Sequence, residues 1–283
     1  MTNSLIEVNP HAAHPTSPAA LVRNLWHNRQ LIVQMAKREV VGRYKGSLMG
    51  MAWSFFNPLL MLVIYTFVFS VVFKTRWGIN VQEGKMDFAM MLFVGMIIHG
   101  LFAECVNRAP GLILSNVNYV KKVVFPLDIL PWIAFGSALF HAVISLVVLI
   151  VAQLIFMGHI PFTALLFPVV MLPLVFATIG FAWFLSSLGV FMRDIGQITG
   201  IITTVLLFIS GVFFPISSLP ETYRIWMRLN PLAVIIEEGR NVLILGKLPD
   251  PVTWCIMMVV GLIIAWAGFA WFQKTRKGFA DVL

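Results

Sequence analysis

Glu237, Glu238 and Arg240 are the one close group of charged side chains that could act together on a substrate. A membrane-embedded transferase acting on lipid-linked sugars needs such convergent acids at an interface. The sequence has no G-x-x-x-x-G-K-[ST] phosphate loop, no H-E-x-x-H and no G-x-S-x-G pattern. Cys105 and Cys255 lack the spacing of metal ligands. We therefore predict no catalytic, cofactor or metal site, and the transferase remains an alternative of a different class.

Acidic and basic side chains are missing from residues 129–192. Transporters that couple to protons or sodium usually place acids near the middle of the bilayer, so this gap counts against that mechanism. His99 and His141 are the two histidines expected inside crossings. We predict that they are hydrogen-bonded structural residues and not proton relays.

The composition requires a membrane as the solvent for this chain. Hydrophobic residues make up 59% of its 283 residues and charged residues only 11%, about half the usual share of a soluble domain. A soluble core of this size could not hide that much apolar surface. We predict one polytopic membrane domain, in which the net charge of +8 reflects cytoplasmic loops and not nucleic-acid binding.

The apolar runs predict an all-α integral membrane fold with six transmembrane helices. Each run is near the 20 or so residues that a crossing needs. The predicted crossings are residues 48–73, 88–106, 129–157, 162–192, 195–214 and 252–273 of a transmembrane domain spanning 48–273.

Three further segments flank or interrupt these crossings. The cytoplasmic segment 1–47 contains a predicted amphipathic helix at 21–37 that lies in the interface. Residues 219–246 are too interrupted by charge to span, so they are predicted to form short re-entrant gate helices or, alternatively, an interfacial loop. Residues 274–283 form a predicted cytoplasmic tail.

The distribution of basic residues predicts which side faces the cytoplasm. With six crossings both termini lie on one side, which holds 13 of the 20 basic and six of the 12 acidic residues, a net +7. The opposite side has a net charge of +1. Because the more positive side is cytoplasmic, both termini are predicted to be inside.

Several motifs, in order from about residue 30 to the end, resemble type-2 ABC transporter permeases of polysaccharide export. The matching stretches are Lys37–Pro58, with R-Y-K-G-S followed by W-S-F-F-N-P; Asn116–Pro131; Met192-Arg-Asp194; Phe213-Phe-Pro-Ile216; Asn230-Pro231 with Glu238-Gly-Arg240; and the tail Thr275–Leu283. The first of these looks most like permeases that export O-antigen.

The resemblance implies a homodimeric permease subunit in the bacterial inner membrane that is not itself an enzyme. Two copies of a separate ATPase subunit would bind ATP and Mg. The substrate would be a polysaccharide on a lipid carrier, commonly undecaprenyl diphosphate, and no nucleic acid is expected. Capsule and teichoic-acid permeases are near relatives, and a drug or small-lipid exporter of the same type is a further alternative.

Four sets of candidate residues follow from the resemblance together with the predicted topology. The candidates at the cytoplasmic mouth, for the carrier's diphosphate, are Arg38, Arg43 and Lys45. The channel-lining aromatic candidates are Trp53, Phe56, Tyr65 and Phe69. The ATPase-coupling candidates are Arg108, Asn116, Lys121, Lys122, Arg193 and Asp194. The gate candidates are Pro231, Glu237, Glu238 and Arg240. Topological roles for the basic residues, and lipid contact or packing for the aromatic ones, remain open.

Overall fold

A computed structural model describes residues 15–72, 85–121 and 125–283. Every regular element in these ranges is helical. The α-helices are α1 (Pro18–His27), α2 (Arg29–Tyr44), α3 (Trp53–Tyr65), α4 (Lys85–Arg108), α5 (Val117–Lys121), α6 (Leu130–Met157), α7 (Phe167–Phe191), α8 (Ile195–Ile209), α9 (Glu221–Leu229), α10 (Pro231–Leu243), α11 (Pro251–Thr275) and α12 (Phe279–Val282). A π-helical stretch, Thr66–Val72, continues α3.

Five helical segments in the described residues are long and apolar enough to cross a membrane. They are Gly50–Phe69, Phe88–Gly111, Leu127–Met157, Phe162–Phe191 and Pro251–Val282. They overlap the first four crossings and the sixth crossing predicted from the sequence. The multi-pass helical membrane fold is therefore confirmed, although the last residue of the first predicted crossing, residue 73, lies outside the described ranges.

The fifth predicted crossing, residues 195–214, is a shorter helix than the sequence indicated. Helix α8 has 15 residues and stops at Ile209. At 1.5 Å per residue it extends about 22 Å, less than the roughly 30 Å of a bilayer core. It ends because the following Gly211 adopts φ 66°, a left-handed backbone conformation that favours glycine.

Helices α7 and α11 pack closely and run in the same direction. A Cβ atom on Gly261 would meet the carbonyl oxygen of Pro173 at 2.5 Å, and Gly268 lies against the backbone of Gly180. One heptad further along, the Ser187 and Thr275 hydroxyls are 2.6 Å apart. Small residues allow this approach, as is common between membrane helices. Because the two helices are parallel, residues 192–250 must return along the whole length of the pair.

Helix α4 lies at the centre of the bundle and supports α8. Helix α4 runs antiparallel to α8. The ring nitrogen of its His99 lies 3.0 Å from the carbonyl oxygen of Thr203 on α8. The Thr203 hydroxyl donates to the Asn107 side chain at 3.0 Å. His99 is thus a buried, hydrogen-bonded histidine between two helices.

The N-terminal segment is two helices and not the single helix predicted over 21–37. Helices α1 and α2 meet at Asn28, whose side chain donates to the Asn24 carbonyl oxygen at 3.0 Å. This side-chain bond competes with the regular helical pattern at the junction. Helix α2 then continues to Tyr44 and packs along α6, with Ala36 beside Gly136.

Both ends of the described chain lie at the same end of the bundle. The Trp266 indole, in the C-terminal half of α11, donates to the Thr16 carbonyl oxygen at 3.2 Å. The Asn24 side chain of α1 donates to Asp128, which lies 3.8 Å from Arg276 after α11. The N-terminal helices therefore rest on the end of the bundle where α11 finishes.

Candidate functional site

Helices α9 and α10 form a hairpin, here called the gate hairpin, whose tip is Asn230-Pro231. The Asn230 amide donates to Ser210 Oγ at 2.9 Å, directly after α8. Its side-chain oxygen accepts from the Leu232 backbone N–H at 3.0 Å and thereby caps α10, with Pro231 at the first helical position. Short helices therefore do occupy the gate segment predicted at 219–246.

The tip of the gate hairpin points into the bundle and not along its surface. A cavity of about 180 Å³ separates Pro231 and Leu232 from Phe102 of α4 and from α7 and α11. Further along α10, Gly239 lies against Ile98. The hairpin thus inserts beside α4, where α8 has already ended.

Arg240, at the inner face of α10, is the most heavily engaged polar residue of the gate hairpin. Its side chain is only 4% exposed. The guanidinium donates to the carbonyl oxygens of Met91, Gly211 and Val212, each at 2.8 Å. The carbonyls near the end of a helix lack intrahelical donors, and a planar guanidinium can supply several at once. Arg240 therefore joins α10 to α4 and to the break after α8.

Gly95 is part of this arrangement, although nothing in the sequence singled it out. A Cβ atom at this position would meet a terminal nitrogen of Arg240 at 2.7 Å and the backbone of Val212 at 3.3 Å. Glycine on α4 makes room for the guanidinium. The sequence carries no sign of this contact, because Gly95 and Arg240 lie on separate helices that are far apart in the chain.

The two acids beside Arg240 do not pair with it. Glu237 is exposed and Glu238 is half-buried. Three donors of the Arg240 guanidinium face backbone carbonyls and not the two carboxylates. This geometry argues against the transferase alternative, which needs these groups to act together.

A cluster of charged side chains, here called the joint cluster, connects α2, α4 and α6 near the end of α2. Its members are Glu39, Arg43, Glu104, Arg108 and His141. Arg43 donates to Glu104 at 2.6 Å, and Arg108 forms ion pairs with Glu39 and, at 3.7 Å, with Glu104. His141 lies 3.3 Å from Glu104. The cluster fixes the N-terminal helices to the bundle.

The joint cluster includes only one of the three candidates for the cytoplasmic mouth. All three side chains are exposed, but Arg43 is held by Glu104 and lies 3.0 Å from a nitrogen of His141. Tyr44, beside Arg43, places its hydroxyl 3.0 Å from the other His141 nitrogen, and burial raises the pKa of that phenol. Glu39 and Glu104 were missed from the sequence, although each has an arginine four residues later, a typical sign of ion pairs on helix faces.

The aromatic candidates divide into two pairs. Trp53 and Phe56 on α3 are each 45% exposed. Tyr65 packs against the hydrophobic core, and the Phe69 ring stacks with Phe213 at a centroid distance of 6.0 Å. The first pair is therefore the more exposed, whereas Tyr65 and Phe69 are only partly exposed.

The coupling candidates are spread over one end of the bundle. Arg108 belongs to the joint cluster, and Asn116 donates to the Leu112 carbonyl oxygen at 2.9 Å. The remaining described candidates are exposed: Lys121, Arg193 and Asp194. Lys122 lies outside the described residues.

Helix α8 presents an exposed face that combines small and polar residues. A wide groove of about 670 Å³ follows this face and is lined by Gly196, Gln197, Gly200 and Thr204. A Cβ atom on either glycine would meet nothing within 4 Å in this chain. Polar side chains are uncommon on lipid-facing helix surfaces, so this face suits protein or water.

Among the described residues, no group of three or more histidine, cysteine, aspartate or glutamate side chains could hold a metal ion. Cys105 is buried and Cys255 exposed, and both are free thiols.

Comparison with known proteins gives consistent matches along the chain. Residues 30–244 match the model of the family described as ABC-2 type transporter. An O-antigen export system permease protein of Myxococcus xanthus is 27% identical over 92% of this chain and 98% of its own length. A capsule polysaccharide export inner-membrane protein of Neisseria meningitidis is 26% identical over 94% of this chain and 98% of its own. A polysialic acid transport protein of Escherichia coli is 25% identical over 85% and 91%.

Proposed function

Because the chain belongs to the ABC-2 type transporter family, we propose that it is the membrane subunit of an ATP-driven polysaccharide exporter. The observation that carries this proposal is the extent of the likeness to polysaccharide-export permeases, which covers at least 85% of this chain in each case. The proposed cargo is O-antigen on a lipid carrier, with undecaprenyl diphosphate as the carrier chemistry. Capsular polysaccharide is the second candidate, because capsule and polysialic acid proteins match almost as extensively.

The proposed topology has six crossings with both termini in the cytoplasm of a bacterial cell. The parallel packing of α7 and α11 supports it, since the chain between them must return through the bundle. Helix α8 together with residues 210–214 would make that return. The excess of basic residues at the end where both termini lie supports the cytoplasmic assignment.

The proposed exporter contains two copies of this chain, with the conduit between them lined by α3 and α8. The small and polar face of α8 supports this arrangement, because Gln197 and Thr204 would be poorly placed against lipid. The exposed rings of Trp53 and Phe56 would add apolar surfaces for sugar rings.

Two copies of a separate ATPase are proposed to drive the cycle from the cytoplasmic end. The sequence has no phosphate loop, so this chain has no usual means of holding ATP. Asn116, Lys121, Lys122, Arg193 and Asp194 are the proposed coupling residues. Movement of the ATPase at these residues would favour one of two states of the bundle only if the ATPase contacts differ between the two states.

Arg38 and Lys45 are the proposed contacts of the carrier's diphosphate, because both are exposed near the N-terminal end of the first crossing. Arg43 is proposed to position them through the joint cluster. The gate hairpin is the proposed re-entrant element on the outer side, held shut by Arg240. Pro231 at its tip, and Glu237 and Glu238 on its outer side, are the remaining proposed gate residues.

The proposed function is tested in a strain that lacks this chain and in proteoliposomes. We expect the strain to lose surface O-antigen and to accumulate lipid-linked polymer inside the cell, and the wild-type gene to restore export. In proteoliposomes with the partner ATPase, lipid-linked O-antigen should stimulate ATP hydrolysis, whereas the chain alone should hydrolyse none.

Two controls separate the alternatives. Lipid-linked capsular polymer and a small amphipathic drug are supplied to the same proteoliposomes. Stronger stimulation by the capsular polymer would transfer the proposal to capsule export. Stimulation by the drug alone, with surface polysaccharide intact in the deletion strain, would refute it.

A further inference from the structure

A cavity of about 650 Å³ lies between α1, residues 125–128 and the C-terminal end of α11. We call it the α1 pocket. Part of its wall is apolar and includes Phe125, Pro126 and Phe269. The rest is polar and comes from three elements: Arg23, Asn24, His27 and Asn28 of α1, Asp128 before α6, and Gln273 and Arg276 at the end of α11.

Asp128 and Arg276 line the α1 pocket as a long ion pair. Asp128 is only 3% exposed, and its carboxylate is 3.8 Å from a terminal nitrogen of Arg276. That separation is longer than a hydrogen bond. The Asn24 amide donates to Asp128, while Arg276 donates to the Phe125 carbonyl oxygen at 3.1 Å. A pair of charges held apart at one cavity is complementary to a ligand that carries both signs.

A buried acceptor at the same cavity lacks a donor. Gln273 is 5% exposed, and its side-chain oxygen has no hydrogen-bond partner among the described residues. Buried polar atoms are nearly always satisfied, so an exception needs an explanation. Gln273 also lines the α1 pocket, so a rotation of its side-chain amide would turn this oxygen to a donor bound there.

Exposed apolar residues on α1 favour a position of the α1 pocket at the membrane interface. On α1, Leu21 and Leu25 pack against the core, whereas Val22 and Trp26 are 64% and 70% exposed. An exposed tryptophan and valine on a helix beside a membrane bundle are typical of the interface. Ligands at that depth present phosphate and, in some lipids, an ammonium group.

We propose that the α1 pocket binds the headgroup of a phospholipid that carries a primary ammonium, which is the chemistry of phosphatidylethanolamine. The ammonium N–H groups face Asp128 and Gln273, and the phosphate faces Arg23 and Arg276. The titratable groups around the pocket, which also include His27, carry an excess of positive charge that the phosphate offsets. The bound lipid holds α1 against α11 and residues 125–128.

Native mass spectrometry of the full chain, released from nanodiscs, tests this proposal. The nanodiscs contain equal amounts of phosphatidylethanolamine, phosphatidylglycerol and phosphatidylcholine with the same acyl chains. The second lipid lacks an ammonium, and the third has an ammonium without N–H donors. We expect phosphatidylethanolamine to be retained roughly tenfold over either, the value of one charge-assisted hydrogen bond.

Variants locate the binding. Asp128→Asn should bring the preference for phosphatidylethanolamine close to one, whereas Arg23→Gln should lower retention of all phosphate lipids. Arg23 is exposed, so its replacement leaves the fold intact even if Asp128→Asn does not. The matched controls are Asp281→Asn and Lys274→Gln, which are exposed at the same end of the bundle and outside the pocket.

Three outcomes would overturn the proposal. Equal retention of the three lipids would show that no headgroup is recognised. Preference for phosphatidylglycerol would indicate a general attraction of basic residues for anionic lipid. An unchanged preference in Asp128→Asn, together with unchanged retention of all three lipids in Arg23→Gln, would place the lipid elsewhere.

Discussion

At the scale of single residues, the fold depends on hydrogen bonds to polar groups inside the bundle, where an unpaired polar group is most costly. Arg240 donates to two carbonyl groups just after α8, those of Gly211 and Val212, and to the Met91 carbonyl of α4, and Gly95 leaves space for it. In an apolar bundle each such carbonyl would otherwise cost several kcal/mol. The arginine therefore explains how a helix of 15 residues can end inside the bundle.

Replacing Arg240 by lysine is expected to lower stability by about 3 kcal/mol, since an ammonium cannot reach three separated carbonyls as a planar guanidinium does. Thermal unfolding of the detergent-purified protein measures the change, and export assays should show leak or stalled transport. Arg228→Lys, at an exposed position on α9, is the control. Identical unfolding midpoints for the two variants would show that Arg240 does not stabilise the gate hairpin.

The joint cluster makes a second prediction at this scale. Arg108→Glu places a third acid beside Glu39 and Glu104, so the attachment of α2 should weaken and export should fall. Adding Glu39→Arg restores an opposite pair, and we expect a coupling energy of about 1 kcal/mol for these partly exposed groups. A double-mutant cycle on unfolding free energies measures it, with Lys37→Glu as the control. Additive effects would show that the two side chains act independently.

At the scale of elements, the contact between α7 and α11 determines the direction of the whole C-terminal half. Gly180, Gly261 and Gly268 bring the two backbones together, and no side chain could be inserted without separating them. This parallel pair is the reason why residues 192–250 return through the bundle.

Gly268→Ala is expected to destabilise the protein by roughly 1–3 kcal/mol, because its methyl group would strike the backbone of Gly180. Gly100→Ala in α4 is the matched control, since a Cβ atom there meets nothing within 4 Å. The control should be neutral or slightly stabilising, as alanine favours helix. Equal effects of the two changes on thermal unfolding would mean that the two helices are not held at this distance.

The open face of α8 gives a further prediction at the element scale. Gly200→Leu fills space that is empty in the single chain, so it should reduce export and disturb the dimer if a second copy or the polymer passes there. Ala267→Leu is the control on the exposed face of α11. Chemical crosslinking in membranes and surface polysaccharide measure the two effects. Normal export by Gly200→Leu would place this face against lipid.

At the scale of the whole molecule, Ser17 and the C-terminal residues lie at one end of the bundle and the turn between α10 and α11 lies at the other. With Cys255 replaced by serine, new cysteines at Ser17 and Asp281 should react with an impermeant maleimide only after cells are opened. A cysteine at Lys247 should react in intact cells. Labelling of positions 17 and 281 from opposite sides would contradict an even number of crossings.

The sequence by itself determined the class of the molecule, because membrane spans are read from the length of apolar runs. Apolar helices at the first four predicted crossings and at the sixth, and short helices in the gate segment, could be predicted in this way. The side from basic residues, and the gate role of Arg240, remain predictions. The length of an apolar run is a local property, and the balance of basic residues is a sum along the chain. A helix must be long and apolar to cross, whatever its neighbours are.

Only the tertiary structure decided which groups meet. The length of α8 depends not only on Gly211 but also on an arginine 31 positions after Ile209. The partners Glu39 and Arg108, or Asp128 and Arg276, are far apart in sequence and lie on separate elements. Contacts of this kind follow from helix packing, in which glycine positions and volumes across several helices act together, and no single segment contains that information.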